Sequence, residues 1–162
     1  MNYTKTFEDY TNELPRKFLE LQKKQKYVVN ELFKDGNGAK TILKTLKLTE
    51  DIRGLYVFWK GNEAVYVGIS GNVIERLIQH IKSNNYHSAT LPIKILKTEE
   101  HEKYNLCQRE CFDSTIISDA QNTYLTNMSI SFISIEDDLE LYLFETYCAI
   151  TFKCKYNDFK TH

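Results

Sequence analysis

Proline and glycine are scarce, with 2 and 6 among 162 residues, and no apolar run approaches the length that spans a bilayer. So few chain breakers exclude a collagen-like or low-complexity protein. With 42% hydrophobic and 13% aromatic residues, apolar burial can offset the chain entropy lost on folding. The length suits one domain with a real core. The opening MNYTKTFEDYTNELPRK lacks the apolar centre of a secretory signal, so the expectation is a cytoplasmic protein with no membrane partner. Cysteine is equally sparse. Cys107, Cys111, Cys148 and Cys154 form neither a CxxC pair nor a dense secreted framework, which predicts free thiols in a reducing compartment. Cys107 and Cys111 stand four apart near His101, a spacing open to zinc or to simple packing.

An excess of either charge is also missing, since the formal net charge is -1. The chain as a whole thus lacks the basicity of an electrostatically driven nucleic-acid binder. The balance is uneven along the chain, however. Residues 1–49 carry ten Lys+Arg against six Asp+Glu, residues 50–83 four of each, and residues 84–162 seven against twelve. A basic front end can meet a polyanion locally.

Apolar periodicity predicts the elements. From about Asn12 to Lys34, Leu14, Phe18, Leu21, Val28 and Leu32 form one stripe, the mark of a long amphipathic helix that Gly36 and Gly38 end. Its other faces carry Lys17, Lys23, Lys24 and Lys26, which read either as a solvated face or as contacts to nucleic-acid phosphates. A short helix follows over 39–46. In GLYVFWKGNEAVYVGIS the period changes to that of strands, predicting a hairpin of Gly54–Trp59 and Ala64–Ile69 about Lys60-Gly61-Asn62-Glu63. Asn72 then reads as an N-cap with Glu75 three residues on, and Ile74, Leu77, Ile78 and Ile81 give the buried face of a helix. Residues 83–128 look mostly helical, interrupted at Pro92. MSISFISI, from Met128 to Ile135, alternates like a third strand, and the acidic run Glu136-Asp137-Asp138 opens a last helix to about Lys153.

The expected class is therefore α+β, a three-stranded antiparallel sheet flanked by helices. Residues 1–49 form a helical extension, and residues 50–162 the main body with a helical insertion, all in one compact unit.

Two features point to chemistry. Arg76 and His80 stand four apart on one helix and project side by side, a cation that can hold a phosphate and a group that can move a proton. Glu145 shares a helical stripe with Tyr142, Ala149 and Phe152, which places a carboxylate on an apolar face. Such a group is costly without a cation partner, either a Lys or Arg or a metal ion.

These residues carry a resemblance. Gly54-Leu55-Tyr56, Tyr66-Val67-Gly68 ten residues later, Arg76 ten further, then Glu145 with Asn157 twelve beyond it, resemble the GIY-YIG nuclease superfamily in order and local spacing. The tail YNDF and the segment HSATLPIK resemble those of small stand-alone bacterial members. The resemblance implies a metal-dependent endonuclease that hydrolyses DNA phosphodiesters. By it, Tyr56 activates the attacking water, Tyr66 orients water or phosphate, Arg76 neutralises the scissile phosphate and His80 helps move the proton. Glu145 holds a single Mg²⁺ or Mn²⁺, Asn157 braces the site, and Gly54 and Gly68 let the strands approach the substrate. The chain departs from the family at Ile69, where many relatives place a polar or basic residue, and at Cys154, where a proline is usual. A catalytically silent nucleic-acid-binding module on the same fold is the rival reading, and either is open to oligomerisation.

Overall fold

The computed structural model describes residues 5–159. The chain runs through α1 (Phe7–Gln22), β1 (Tyr27–Val28), α2 (Val29–Leu32), α3 (Ala39–Leu46), β2 (Gly54–Lys60), β3 (Glu63–Ser70), α4 (Val73–Lys82) and α5 (Thr90–Glu99). It continues through α6 (His101–Tyr104), a 3₁₀ turn, α7 (Ser114–Ala120), a π-helical turn, β4 (Ser129–Ser134) and α8 (Asp138–Phe152). The α+β class is the one the sequence predicts, but the antiparallel sheet has four strands in the order β1-β4-β2-β3. No helix of the described residues is long and apolar enough to cross a membrane.

The fourth strand lies inside the stretch that reads as one helix from Asn12 to Lys34. In the structure α1 begins at Phe7, under a capping box between Thr6 and Asp9, and ends at Gln22. The apolar stripe looks continuous but serves two cores. Leu14 and Leu21 bury against α8 on one face of the sheet, whereas Val29, Leu32 and Phe33 bury with Tyr56 and Phe58 on the other. To change faces the chain must round the sheet edge. It does so where Tyr27 and Val28 pair with Ile130 and Ser129, with the Tyr27 ring stacked on Phe132 at 5.9 Å.

The hairpin follows its alternation. Leu55, Val57 and Trp59 face α1 and α8, while Tyr56 and Phe58 face the core with α2, α3 and α4. Gly61, at φ 62°, makes the left-handed turn that a side chain would strain. The segment between α4 and β4 builds a third core around Ile93, Leu96, Tyr104, Phe112 and Ile117. Pro92 does not interrupt it. It occupies the first turn of α5, where its missing N–H leaves no hydrogen bond unmade.

The cap of α4 comes from an unexpected residue. Asn72 makes no side-chain cap. The carboxylate of Asp51, from the loop before β2, accepts instead from the N–H groups of Ile74 at 2.8 Å and Glu75 at 2.9 Å. This ties the start of the helix carrying Arg76 and His80 to the start of the strand carrying Tyr56.

Candidate active site

Tyr56 and Tyr66 lie on neighbouring strands, but not as direct partners. Tyr56 faces Gly68 and Tyr66 faces Phe58, so the two tyrosines are diagonal, their ring centroids 6.3 Å apart. A register shift beside Trp59 leaves Val65 unpaired next to Tyr66. Above both rings α4 places His80, at 5.8 Å from the Tyr56 ring and 5.9 Å from the Tyr66 ring. Tyr56 is 1% exposed, Tyr66 8% and His80 0%.

Gly68 lies beneath Tyr56 for a steric reason. A methyl on its Cα would stand 2.5 Å from the Cζ and Oη of Tyr56, so the phenol can cross β3 only over a glycine. Gly54 answers a different constraint, since a methyl there would meet the carbonyl oxygen of Ile133 at 2.1 Å, within the β2–β4 pairing. The space at both glycines is thus filled from within the protein.

The hydroxyl of Tyr56 lies 2.9 Å from Nε2 of His80. Nδ1 of the same ring accepts the backbone N–H of Leu91, at 3.3 Å, in the first turn of α5. An acceptor Nδ1 carries no proton, so the proton of the neutral ring sits on Nε2 and is donated to the Tyr56 oxygen. Burial, with Arg76 and Lys94 nearby, pushes His80 down to about 3, which keeps the imidazole neutral across the physiological range. Burial, then the neighbouring Tyr66, holds Tyr56 well above the ordinary phenol range, against the opposing pull of Arg76. Tyr56 is therefore a neutral phenol whose own O–H points away from His80.

Arg76 borders the same group. Its guanidinium donates to Gln79 at 2.8 Å, to the carbonyl of Ser88 at 3.1 Å and to Thr90 at 2.9 Å. Those bonds hold the cation in place and leave further N–H groups for an anion. Glu145 approaches from α8 and is half-buried. It makes no hydrogen bond or ion pair among the described residues, and burial raises its pKa above the ordinary carboxylate range while Lys94 opposes the shift. Its charge in turn raises Tyr66, after burial. Of the stripe that defined Glu145 in the sequence, Tyr142 points outward and is 62% exposed. The buried face of α8 is instead Leu141, Phe144, Cys148 and Ala149.

Asn157 closes the outer edge of β3, where its side chain accepts from the Val67 N–H at 2.9 Å and donates to the Val67 carbonyl at 2.8 Å. It replaces a missing strand at one residue, immediately beside Tyr66 and Gly68.

The four basic residues of the front segment do not join this group. Lys17 pairs with the buried carboxylate of Glu140 at 2.9 Å, and Lys24 with Glu20 at 2.9 Å. The ammonium of Lys26 lies 3.7 Å from the centroid of the Trp59 ring, while Lys23 only ends α1. The Glu140 side chain is 7% exposed, and Lys17→Met leaves it only the longer contact to Lys5 at 3.9 Å, so the change is expected to cost about 1–3 kcal/mol of stability. Urea denaturation of Lys17→Met and of Lys17→Met/Glu140→Gln checks this, with the double variant recovering part of the loss. A phosphate-contacting Lys17 would change binding and leave stability alone.

Three contributors carry no local sequence signal. Gln121 is buried and donates to the carbonyls of His80 at 2.9 Å and Ser83 at 2.8 Å, Thr90 steadies Arg76, and Lys94 lies over the Tyr66 ring. All three come from the segment between α4 and β4, and only folding brings them to the site. Cys107, Cys111 and His101 form no metal cage, for no group of three or more His, Cys, Asp or Glu side chains converges among the described residues.

No protein-family profile matches the chain, and no solved structure matches it. A stretch of 35 residues, 22% of this chain, is 46% identical to the UvrABC system protein C of Aquifex aeolicus, of which it covers 6%.

Proposed function

We propose that the protein is a phosphodiesterase of the GIY-YIG type that cuts nucleic acid, foremost DNA, with a single Mg²⁺ or Mn²⁺ on Glu145. The observation that carries the reading is the convergence of a buried Tyr56–His80 pair, Tyr66, Arg76 and the unpaired Glu145 at one edge of the sheet. The short similarity to UvrABC system protein C is in keeping with it. So is the donor set. One half-buried carboxylate with no ion pair or hydrogen bond among the described residues suits a hard divalent ion that keeps several waters, and no dedicated cage is required. When bound there, such an ion supplies charge stabilisation for a phosphoryl oxygen and the leaving oxygen.

The residues act as follows. Arg76 binds a non-bridging phosphate oxygen and offsets the charge that grows as water attacks in line. Tyr56 is not a standing base, because its raised pKa makes the phenolate rare at neutral pH. It serves as a relay: one lone pair is held by His80, another accepts the proton of the attacking water, and its own O–H proton passes to a phosphate oxygen. His80 positions that oxygen and stays neutral. Tyr66 orients water at the mouth.

Supercoiled plasmid, linear duplex, single-stranded DNA and RNA, each with Mg²⁺, Mn²⁺ or EDTA, test the activity. Metal-dependent cleavage supports the phosphodiesterase, and binding without cleavage under every condition returns the chain to a silent binding module. Tyr56→Phe is expected to slow cleavage on the order of 10² to 10⁴-fold. The wild-type rate should show no titration near 6.5, where an ordinary histidine would appear, because His80 ionises only near 3. A rate that breaks near 6.5 and loses the break in His80→Gln would reverse the assignment of His80 as a neutral donor.

A further inference from the structure

Beside the site lies a cleft of about 540 Å³ that none of the roles above uses. One wall is α5 and α6, the other the C-terminal tail after α8. The helical wall presents Lys94, Lys97 and Thr98 from one face of α5 and, past the break at Glu100, His101 and Asn105 from α6 and its end. From the tail come Lys155 and Asp158. Glu99 pairs with Lys155 at 2.6 Å and joins the two walls.

The cations here are not a product of composition. Residues 84–162 carry seven Lys+Arg against twelve Asp+Glu, yet the lining holds three lysines and a histidine against one aspartate. Nor are the two inner lysines spent on carboxylates. The ammonium groups of Lys94 and Lys97 make no hydrogen bond or ion pair among the described residues, and each lies 5.5 Å from a ring centroid, Lys94 over Tyr66 and Lys97 over Phe112. Glu99, Glu100 and Glu102 stand on the same segment and pair with neither. The cleft is also continuous with the site. Lys94 shares Tyr66 and acts on the charge of Glu145, and Asn157, which clasps Val67, belongs to its lining.

We propose that this cleft seats the backbone phosphates of the nucleic-acid strand leading away from the Tyr56 site, with Lys94 at its inner end and Lys97, His101 and Lys155 along it. Lys94 and Lys97 stand one turn apart on α5, about 4.5 Å along its axis, which suits neighbouring phosphates, and His101 and Lys155 continue the lining. The inference rests on the nucleic-acid reading of the preceding section. It moves strand contact from the front lysines to the segment between α4 and β4 and to the tail.

The test is fluorescence anisotropy with a labelled 20-nucleotide DNA, single-stranded and duplex, in EDTA at 50 to 200 mM salt. Each phosphate contact removed flattens the plot of log K against log[salt] by about 0.7 to 0.9. Lys97→Gln/Lys155→Gln is expected to weaken binding at least about ten-fold and to flatten the slope by about 1.4 to 1.8, two contacts' worth. Lys97→Arg/Lys155→Arg should restore the slope, and Lys97→Gln alone serves if the double variant loses its circular-dichroism spectrum. Lys23→Gln/Lys24→Gln should leave the slope unchanged. A slope that follows Lys23 and Lys24 instead, or wild-type protein that binds neither DNA at 50 mM salt, overturns the proposal. So does a deoxynucleoside monophosphate or inorganic phosphate that binds as tightly as the 20-mer, which would make the cleft a small-anion pocket. Plasmid cleavage with Mg²⁺ separates this from the catalytic reading. Cleavage with an unmoved slope removes the cleft and keeps the phosphodiesterase, and a cleft-dependent slope without cleavage does the reverse.

Discussion

Glu145→Gln is expected to reduce nucleic-acid cleavage to background while leaving the fold as stable as the wild type or more so. The carboxylate is half-buried, and no hydrogen bond or ion pair among the described residues compensates its charge. Burial raises its pKa, so the folded state prefers the protonated form. The sign follows: whatever stability this group contributes is present below the ordinary carboxylate range and is lost as pH rises through its raised folded value. At neutral pH the ionised group is a cost to the fold, and glutamine removes it at nearly constant shape. Urea denaturation at pH 7 and at about pH 5 should show the wild type gaining on the variant as the solution is acidified. Added Mg²⁺ should stabilise the wild type and not the variant. A Glu145→Gln protein that cleaves at the wild-type rate would sink the metal-holding role, and one that unfolds would make Glu145 a structural group.

Gly68→Ala should damage the site more than the fold. The added methyl would stand 2.5 Å from Cζ and Oη of Tyr56. The ring is 1% exposed, is bonded to His80 and lies in contact with Phe58 and Tyr66, so it has no free direction in which to yield. The displaced hydroxyl leaves both His80 and the water it would activate. A misplacement of about 1 Å can cost on the order of 10²-fold in rate, and overpacking here about 1–3 kcal/mol in stability. Kinetics on the Tyr56→Phe background distinguishes the cause. If Gly68→Ala acts through the phenol, adding it to Tyr56→Phe should lower the rate little further. Full additivity would mean that the glycine serves something other than Tyr56.

The periodic elements were legible in the sequence because each buries one face and needs only local spacing to do so. The hairpin about Gly61, α4 and α8 lie where alternation and the three-four repeat put them. The same reading placed Tyr56, Tyr66, Arg76 and His80 on neighbouring elements, since a hairpin followed by a helix leaves little choice. Where it went astray, the reason was tertiary. Leu21 and Leu32 share a helical spacing but belong to cores on opposite faces of the sheet, and no local pattern reports which face a residue will meet. The front lysines looked alike in sequence. Only the structure gives Lys17 the buried Glu140 and Lys26 the ring of Trp59.

By itself, then, the sequence determined the α+β class, most element boundaries and the residue types that the proposed chemistry calls on. Those depend on interactions within a few turns or one hairpin. The tertiary structure alone decided that Asp51 caps α4 and that the N–H of Leu91 sets the tautomer of His80. It likewise decided that Tyr56 lies over Gly68 and that Glu145 stays unpaired while Glu140, five residues earlier, is neutralised. Each of these is a contact between groups distant in the chain, or a matter of desolvation. The energy of such a contact depends on what surrounds it in space, which spacing along the chain does not encode.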